Sequence, residues 1–261
     1  MVWQRGDAVT KLDDYAQKYN HVVMDRGDDG ILHMRLHTEG GPLKWGGSPH
    51  RELGDCFMDV ANDFDNKCVI LTGTGDKFIG LFADEPIAGI TPQSWDHIYF
   101  EGKRLLMNLL SIEVPVIAAV NGPATIHAEL AVMSDIVIAA DHSTFRDLPH
   151  FRGGLVPGDG VHVVWPLLLG PNRGRYFLLT GQKLLADEAL ELGVVSELMP
   201  LDQLSDRAWE LAREVVKRPP LTVRYARVAM VQHLKKLMQD NLGYGLALEG
   251  LAANDWWPND D

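Results

Sequence analysis

His150 and Asp159 stand nine residues apart in the run Pro149-His150-Phe151-Arg152-Gly153-Gly154-Leu155-Val156-Pro157-Gly158-Asp159-Gly160. An imidazole fixed beside a carboxylate can make water nucleophilic near neutral pH. The carboxylate accepts one ring N–H, fixes the tautomer, and stabilises the imidazolium formed when the other nitrogen takes a proton. Glycines and a proline between the two residues give the chain the turning freedom to bring both side chains together. The competing reading is structural: His150 is a hydrogen-bonded loop histidine and Asp159 caps a helix beginning Gly160-Val161-His162. The segment by itself leaves both readings open.

The elements that must hold such a pair follow from the apolar pattern. Ala8 to Tyr19 reads as a short amphipathic helix, and 21–24 and 30–36 as paired strands around the acidic glycine turn 25–30. Ser48 and Pro49 predict a helix to about Asp63, with Ser48 as N-cap. Cys68-Val69-Ile70-Leu71-Thr72 reads as a strand buried on both faces, and a helix follows from about Ser94 to Leu110. The alternation repeats with a strand at 114–120, an Asn121-Gly122-Pro123 turn, a helix from Ile126 to Met133 and a strand at 135–140. Strand–helix–strand order implies crossovers and a largely parallel α/β sheet. From Asp159 onward helices are expected over about 160–169, 172–180, 186–192, 202–217 and 219–240, then a final segment to Ala253, with 194–197 as a strand. The shift near residue 200 divides the chain into a core, 1–200, and a helical region, 201–261, docked without a flexible linker.

Composition narrows the partners. With 261 residues, 46% of them hydrophobic, the chain can form a large core without disulfides or a structural metal. A net charge of −12 argues against nucleic acid or an anionic membrane as partner. The two cysteines, Cys56 and Cys68, form no Cys-x-x-Cys pair and read as buried thiols of a reducing compartment. Neither a signal-peptide run nor a membrane span is visible, so a cytoplasmic location is expected. Only His33 and His37 stand in His-x-x-x-His spacing, within and just after a strand pattern rather than on a helix, and no pair stands in His-x-His, so no metal is expected. Gly-x-Ser-x-Gly and Gly-x-Gly-x-x-Gly are also missing, which argues against a serine hydrolase and a dinucleotide enzyme.

Several motifs carry a family resemblance over nearly the whole chain: the strand–Thr-Gly–loop stretch 66–85, Pro115-Val116-Ile117-Ala118-Ala119-Val120-Asn121-Gly122-Pro123, Ala128-Glu129-Leu130-Ala131-Val132-Met133-Ser134-Asp135, then Thr144-Phe145, Pro149-His150 and Val156-Pro157-Gly158. In order and spacing they resemble the crotonase (enoyl-CoA hydratase/isomerase) superfamily, which implies a ββα spiral core with a C-terminal helical trimerisation region. Two departures matter. Crotonases commonly place glycines just before the Glu-Leu pair, one backbone N–H serving an oxyanion hole; here Thr125-Ile126-His127 stands there. Hydratases place two glutamates at positions matching Glu129 and His150, and this chain keeps only the first. Both departures resemble the β-diketone hydrolase branch that includes 6-oxocamphor hydrolase, as do the runs 71–75, 110–115 and 172–181.

That resemblance implies retro-Claisen cleavage of cyclic or bicyclic β-diketones without a cofactor, by a homotrimer or a dimer of trimers. It implies catalytic roles for His150, Asp159 and His127, and a pocket lined by Trp45, His50, Glu249 and Glu129. The pair His150 and Asp159 would activate water, while His127 and Trp45 would donate to the oxyanion. Each has a plainer rival: His127 as a polar cap, Trp45 as packing, His50 as a solvated helix-start residue held neutral by the helix dipole, Glu249 as a surface carboxylate. Glu129 would support the site through hydrogen bonds. The alternative activity is an acyl-CoA hydratase, isomerase or thioesterase using Glu129 as acid and base; a third is a catalytically silent scaffold.

Overall fold

The computed structural model describes residues 10–84 and 89–256. Its centre is a six-stranded sheet in which strand Ile31–Leu36 pairs antiparallel with Val22–Arg26 and parallel with Cys68–Thr72. Beyond Cys68–Thr72 the sheet continues, all parallel, through Val116–Val120, Ile136–Ala140 and Glu197–Met199. The apolar central strands are buried on both faces, as continuous hydrophobic runs require. Val69 and Leu71 face a large core closed by helices Gly47–Asn62 and Pro92–Leu109. Cys68 and Ile70 face the opposite way, against Leu204, Ala208 and Ala212 of helix Leu201–Val216. Both C-terminal helices share these cores, so the helical region is docked on the sheet; no described helix is long and apolar enough to cross a membrane. Cys56 and Cys68 are free and buried.

Several elements differ from expectation. The first helix spans only Leu12–Tyr15, where Tyr15 donates to the Asp63 carboxylate at 2.9 Å; Ala8 and Val9 lie outside the described residues. Gly46, not Ser48, caps the second helix; Ser48 lies inside its first turn and its hydroxyl donates to Glu52 at 3.4 Å. The expected helix from Ile126 begins only at Glu129, because His127 holds a left-handed backbone with φ 45° that no α-helix accommodates. The strand expected at 194–197 is shifted to Glu197–Met199. Short pairings of Lys44–Trp45 with Leu81–Phe82, and of Thr144–Phe145 with Leu184–Leu185, had no signal of their own.

The largest correction is the C-terminus. The helix expected at 219–240 and the separate final segment form one helix, Pro220–Trp256; residues 257–261 of the acidic Trp tail lie outside the described residues. Glycines within this helix are points of close approach. A Cβ on Gly245 would stand 2.2 Å from the Gly158 carbonyl oxygen, and one on Gly250 would stand 2.1 Å from Trp95 Nε1. The Gly158–Gly245 contact lets the long helix seat Glu249 against the loop that carries Asp159. Gly245→Ala should therefore destabilise the protein by about 1–3 kcal/mol, the usual cost of overpacking, outweighing the ~1 kcal/mol helix-propensity gain. A fall in Tm in scanning calorimetry, with reduced turnover, checks this; an unchanged Tm would contradict the close-packing account.

Candidate active site

The side chains converge at the carboxyl-terminal ends of the parallel strands, where open α/β sheets bind ligands. Strand Val116–Val120 leads through Asn121 to His127. Asn121 staples that edge, accepting from Gly73 N at 3.0 Å and donating to the carbonyls of Gly75 and Lys77. Strand Thr144–Phe145 leads to Asp147 and His150. The His150 carbonyl accepts from Gly153 N at 2.7 Å and from Leu155 N at 3.0 Å, closing the 3-10 turn Phe151–Gly153. Gly154 then takes φ 82° and reverses the chain toward Asp159. Gly160 caps helix Val161–Leu169, so Asp159 is not its cap, and its carboxylate points at the histidines.

His150 and Asp159 meet, but in a different arrangement from the one expected. The tight partner of His150 is Asp147, whose Oδ1 lies 2.6 Å from Nδ1. Asp159 Oδ2 lies 3.3 Å from Nε2, the other ring nitrogen, and Glu249 Oε1 lies 3.5 Å from it. The reason is local: Asp147 lies three residues ahead of His150, whereas Asp159 returns through Val156-Pro157-Gly158 to the other ring nitrogen. Asp147 was missed in the sequence, although Asp-x-x-His spacing was a usable signal.

Asp159 also approaches His127, with Oδ2 3.5 Å from Nδ1, and so bridges the two histidines. His127 Nδ1 makes a direct hydrogen bond with the Glu129 carboxylate. Ligand atoms of His127, Glu129 and Asp159 lie within 4.8 Å of one another, a grouping near enough to hold an ion that chain spacing did not disclose. Trp45 lies against the His127 ring, centroids 4.2 Å apart, and His50 completes the cluster, 5.7 Å from His127 and 5.9 Å from Trp45. His50 Nδ1 is 3.2 Å from Glu101, which also accepts from Arg51; Glu101 sits on a distant helix and no sequence pattern signalled it. Glu249 is buried, with Oε2 unpartnered among the described residues. Two surface clefts, along Glu197–Glu210 and Asp96–Arg104, contain none of these groups.

Burial and neighbouring charge set the protonation pattern. For His150, burial opposes the charged form but is outweighed by Asp159 and Asp147, so its pKa is raised well above 6.5. For His127, burial is likewise outweighed by Glu129 and Asp159, and the pKa is raised. His50 goes the other way: burial dominates and lowers it, leaving a neutral imidazole. Burial raises Asp159 too, but His150 and His127 overcome it and hold the carboxyl ionised. Burial wins for Glu129 and Glu249, both raised despite the histidines beside them. Opposed shifts of this kind leave a proton acceptor and proton donors side by side in one buried cluster, the arrangement acid–base chemistry requires.

Known proteins resemble this chain at each level. The model of a family described as enoyl-CoA hydratase/isomerase matches residues 48–247. Carnitinyl-CoA dehydratase of Salmonella arizonae is 37% identical over 172 residues, 66% of each chain, so the match spans just under two thirds of that relative. A solved β-diketone hydrolase from the cyanobacterium Anabaena sp. PCC 7120, bound to (S)-3-oxocyclohexyl acetic acid, is 49% identical with a TM-score of 0.91, over 93% of this chain and 97% of that one. An enoyl-CoA hydratase from Bacillus anthracis is 26% identical with a TM-score of 0.74, over 92% of each chain.

Proposed function

The chain belongs to the enoyl-CoA hydratase/isomerase family, the crotonase superfamily, and from that premise we propose that it hydrolyses the C–C bond of cyclic or bicyclic β-diketones by a retro-Claisen reaction, giving a keto acid. The observation that carries this reading is the pairing of His150, held between carboxylates, with His127 in the place where the family commonly has glycine. The cyanobacterial β-diketone hydrolase bound to an oxo acid supports the same chemistry.

In this mechanism His150 Nε2 takes a proton from water while the hydroxide adds to one carbonyl carbon. The carbonyl π pair moves onto oxygen, and the oxyanion is held by His127 and Trp45. His127 turns Nδ1 to Glu129 and Asp159, and its raised pKa favours the imidazolium, so Nε2–H remains to donate. Collapse restores the C=O bond and sends the C–C pair to the α-carbon, where the second carbonyl stabilises it as an enolate. The imidazolium of His150 returns its proton to that carbon. Asp159 stabilises the imidazolium, and His50, Glu249 and Glu129 line or support the pocket. The residues' own chemistry suffices, without cofactor or metal.

The test is spectrophotometric: purified protein mixed with a simple cyclic 1,3-diketone should bleach the diketone ultraviolet band and release acid. No bleaching across a panel of cyclic and bicyclic diketones would overturn the reading and leave a silent scaffold or the runner-up. The runner-up is an acyl-CoA hydratase, isomerase or thioesterase, favoured by the dehydratase relatives. It requires Glu129 to reach substrate, whereas Glu129 is buried and bonded to His127. Weak retention on immobilised CoA supports the hydrolase; tight retention supports the runner-up.

The pH profile has a definite sign. A base must be unprotonated, and the His150 pKa is raised well above 6.5, so kcat/KM should fall as pH drops through a value above 6.5, and it should fall again on the alkaline side where the His127 imidazolium is lost. An acid limb at or below 6.5 would remove His150 as base.

The same reading expects a homotrimer, or two stacked trimers, of cytoplasmic protein. Leu221, Tyr225, Met230, Tyr244, Leu248 and Leu251 are exposed on the C-terminal helix, large apolar side chains that a subunit contact would cover. Light scattering should give at least three times the 29.0 kDa chain mass, and the double variant Tyr244→Asp, Leu248→Asp should lower it. A monomeric parent would refute the assembly.

A further inference from the structure

We propose that Asp147 is the positioning residue of this site: it takes the Nδ1–H of His150 and so leaves Nε2 as the ring atom that accepts the proton of water. The inference rests on the proposed hydrolysis for its chemical purpose, though not for its geometry. Two neutral tautomers of His150 compete. With hydrogen on Nδ1, the lone pair at Nε2 faces the side shared by Asp159 and Glu249 and can act as base. With hydrogen on Nε2, the lone pair is turned away toward Asp147 and the ring is inert. The contacts decide between them. Nδ1 to Asp147 Oδ1 is 2.6 Å, a charge-assisted hydrogen bond, whereas Nε2 is 3.3 Å from Asp159 and 3.5 Å from Glu249. Placing the hydrogen on Nε2 would set a nitrogen lone pair against a carboxylate oxygen at 2.6 Å in a buried site, where that repulsion is little screened. Asp147 thus excludes the inert form, and when the imidazolium gives up a proton it is the one on Nε2.

A structural explanation of Asp147 accounts for less. Its flanking residues are fixed by other bonds: Arg146 N to Ala124 O at 3.2 Å, Leu148 N to Thr125 O at 3.0 Å, and Arg146 Nε to Gly181 O at 2.9 Å. Asp147 is 4% exposed, and its Oδ2 is buried with no partner among the described residues. A carboxylate buried to hold a loop collects several donors; this one has the histidine.

The experiment compares Asp147→Asn and Asp147→Glu with the parent, by steady-state kinetics and by NMR of protein labelled with 15N-histidine, the His150 signals being assigned by their loss in His150→Gln. Asp147→Asn should lower kcat by about 10- to 100-fold, as loss of an orienting partner does, with KM within about threefold. The neutral ring should shift from the Nδ1–H to the Nε2–H tautomer, because an amide can turn its N–H toward Nδ1. Asp147→Glu, which keeps the charge, should recover part of both. Parent-like kcat and tautomer in Asp147→Asn would overturn the proposal, as would a loss confined to KM. If Asp147→Asn does not fold, Asp147→Glu decides: a parent-like tautomer with intermediate kcat supports positioning, and a changed tautomer with full kcat refutes it. The tautomer signal needs no substrate, so absence of diketone turnover in the parent would defeat the proposed function while Asp147 is still judged by NMR.

Discussion

His150→Gln is expected to lower kcat by about 10⁴-fold or more, the largest single loss in the protein. Replacing the base of an assembled hydrolytic site removes nearly all of its acceleration, the remainder coming from oxyanion stabilisation and binding. Glutamine approximates the volume of imidazole and keeps polar atoms near Asp147 and Asp159, so the change is chemical more than steric. It also removes the cation that Asp147, Asp159 and Glu249 surround. Without it, the Asp159 carboxyl loses the charge that holds it ionised and the raised Glu249 pKa climbs further. The kinetic loss should therefore come with lower stability at alkaline pH, where the carboxyls are forced to ionise. Single-turnover rates at saturating diketone, with thermal melts from pH 6 to 9, separate the two effects. A loss below about tenfold would move the base to Asp159 or Glu249, since no other group flanks Nε2 of His150 so closely among the described residues.

Legibility in the sequence followed the range of the interactions involved. The strands Cys68–Thr72, Val116–Val120 and Ile136–Ala140 announce themselves as short apolar runs because both faces of each are buried, a purely local consequence of the sheet. The left-handed backbone at His127 was not visible as such, since nothing in the residue type demands it; only the family's habit of glycine nearby marks the position. The continuity of the C-terminal helix through Gly245 and Gly250 had no local signal either: propensity disfavours a helical glycine, whereas here Gly245 faces another glycine and Gly250 faces an indole, contacts between segments far apart in sequence.

The site divides in the same way. His150 and Asp159 were suggested by a nine-residue loop with flexible residues between them, and the structure brings their side chains to 3.3 Å. Which carboxylate sits on which nitrogen was not legible, because Asp147 and Asp159 are both acids near His150 and only backbone direction distinguishes them. Trp45, His50 and Glu249 reach the cluster from separate elements and could be named only through resemblance. Glu101 had not even that. Its link to His50 crosses between two packed helices, and a side-chain hydrogen bond across such an interface leaves no period or spacing in either segment.

The second large effect should come from His127→Ala, expected to reduce kcat by about 10²–10³ with a smaller change in KM, the cost of losing one oxyanion donor. The imidazole is packed against Trp45, so without it the indole N–H would remain as the proposed donor to the developing charge. His127→Gly makes the argument sharper. Both variants remove the donor and should lose activity alike, but the backbone at φ 45° suits glycine and strains alanine by about 1 kcal/mol. His127→Gly should therefore melt higher than His127→Ala by a few degrees in spite of glycine's larger unfolded-state entropy, a difference set by the backbone and unrelated to catalysis. Both leave Glu129, 1% exposed, without its partner, and its already raised pKa should climb further. If kcat falls less than about tenfold in both variants, the oxyanion is held elsewhere and the role of His127 is reduced to orienting Asp159. If only the alanine variant loses activity, the glycine backbone N–H has taken over as donor, as the family's common glycine motif would allow.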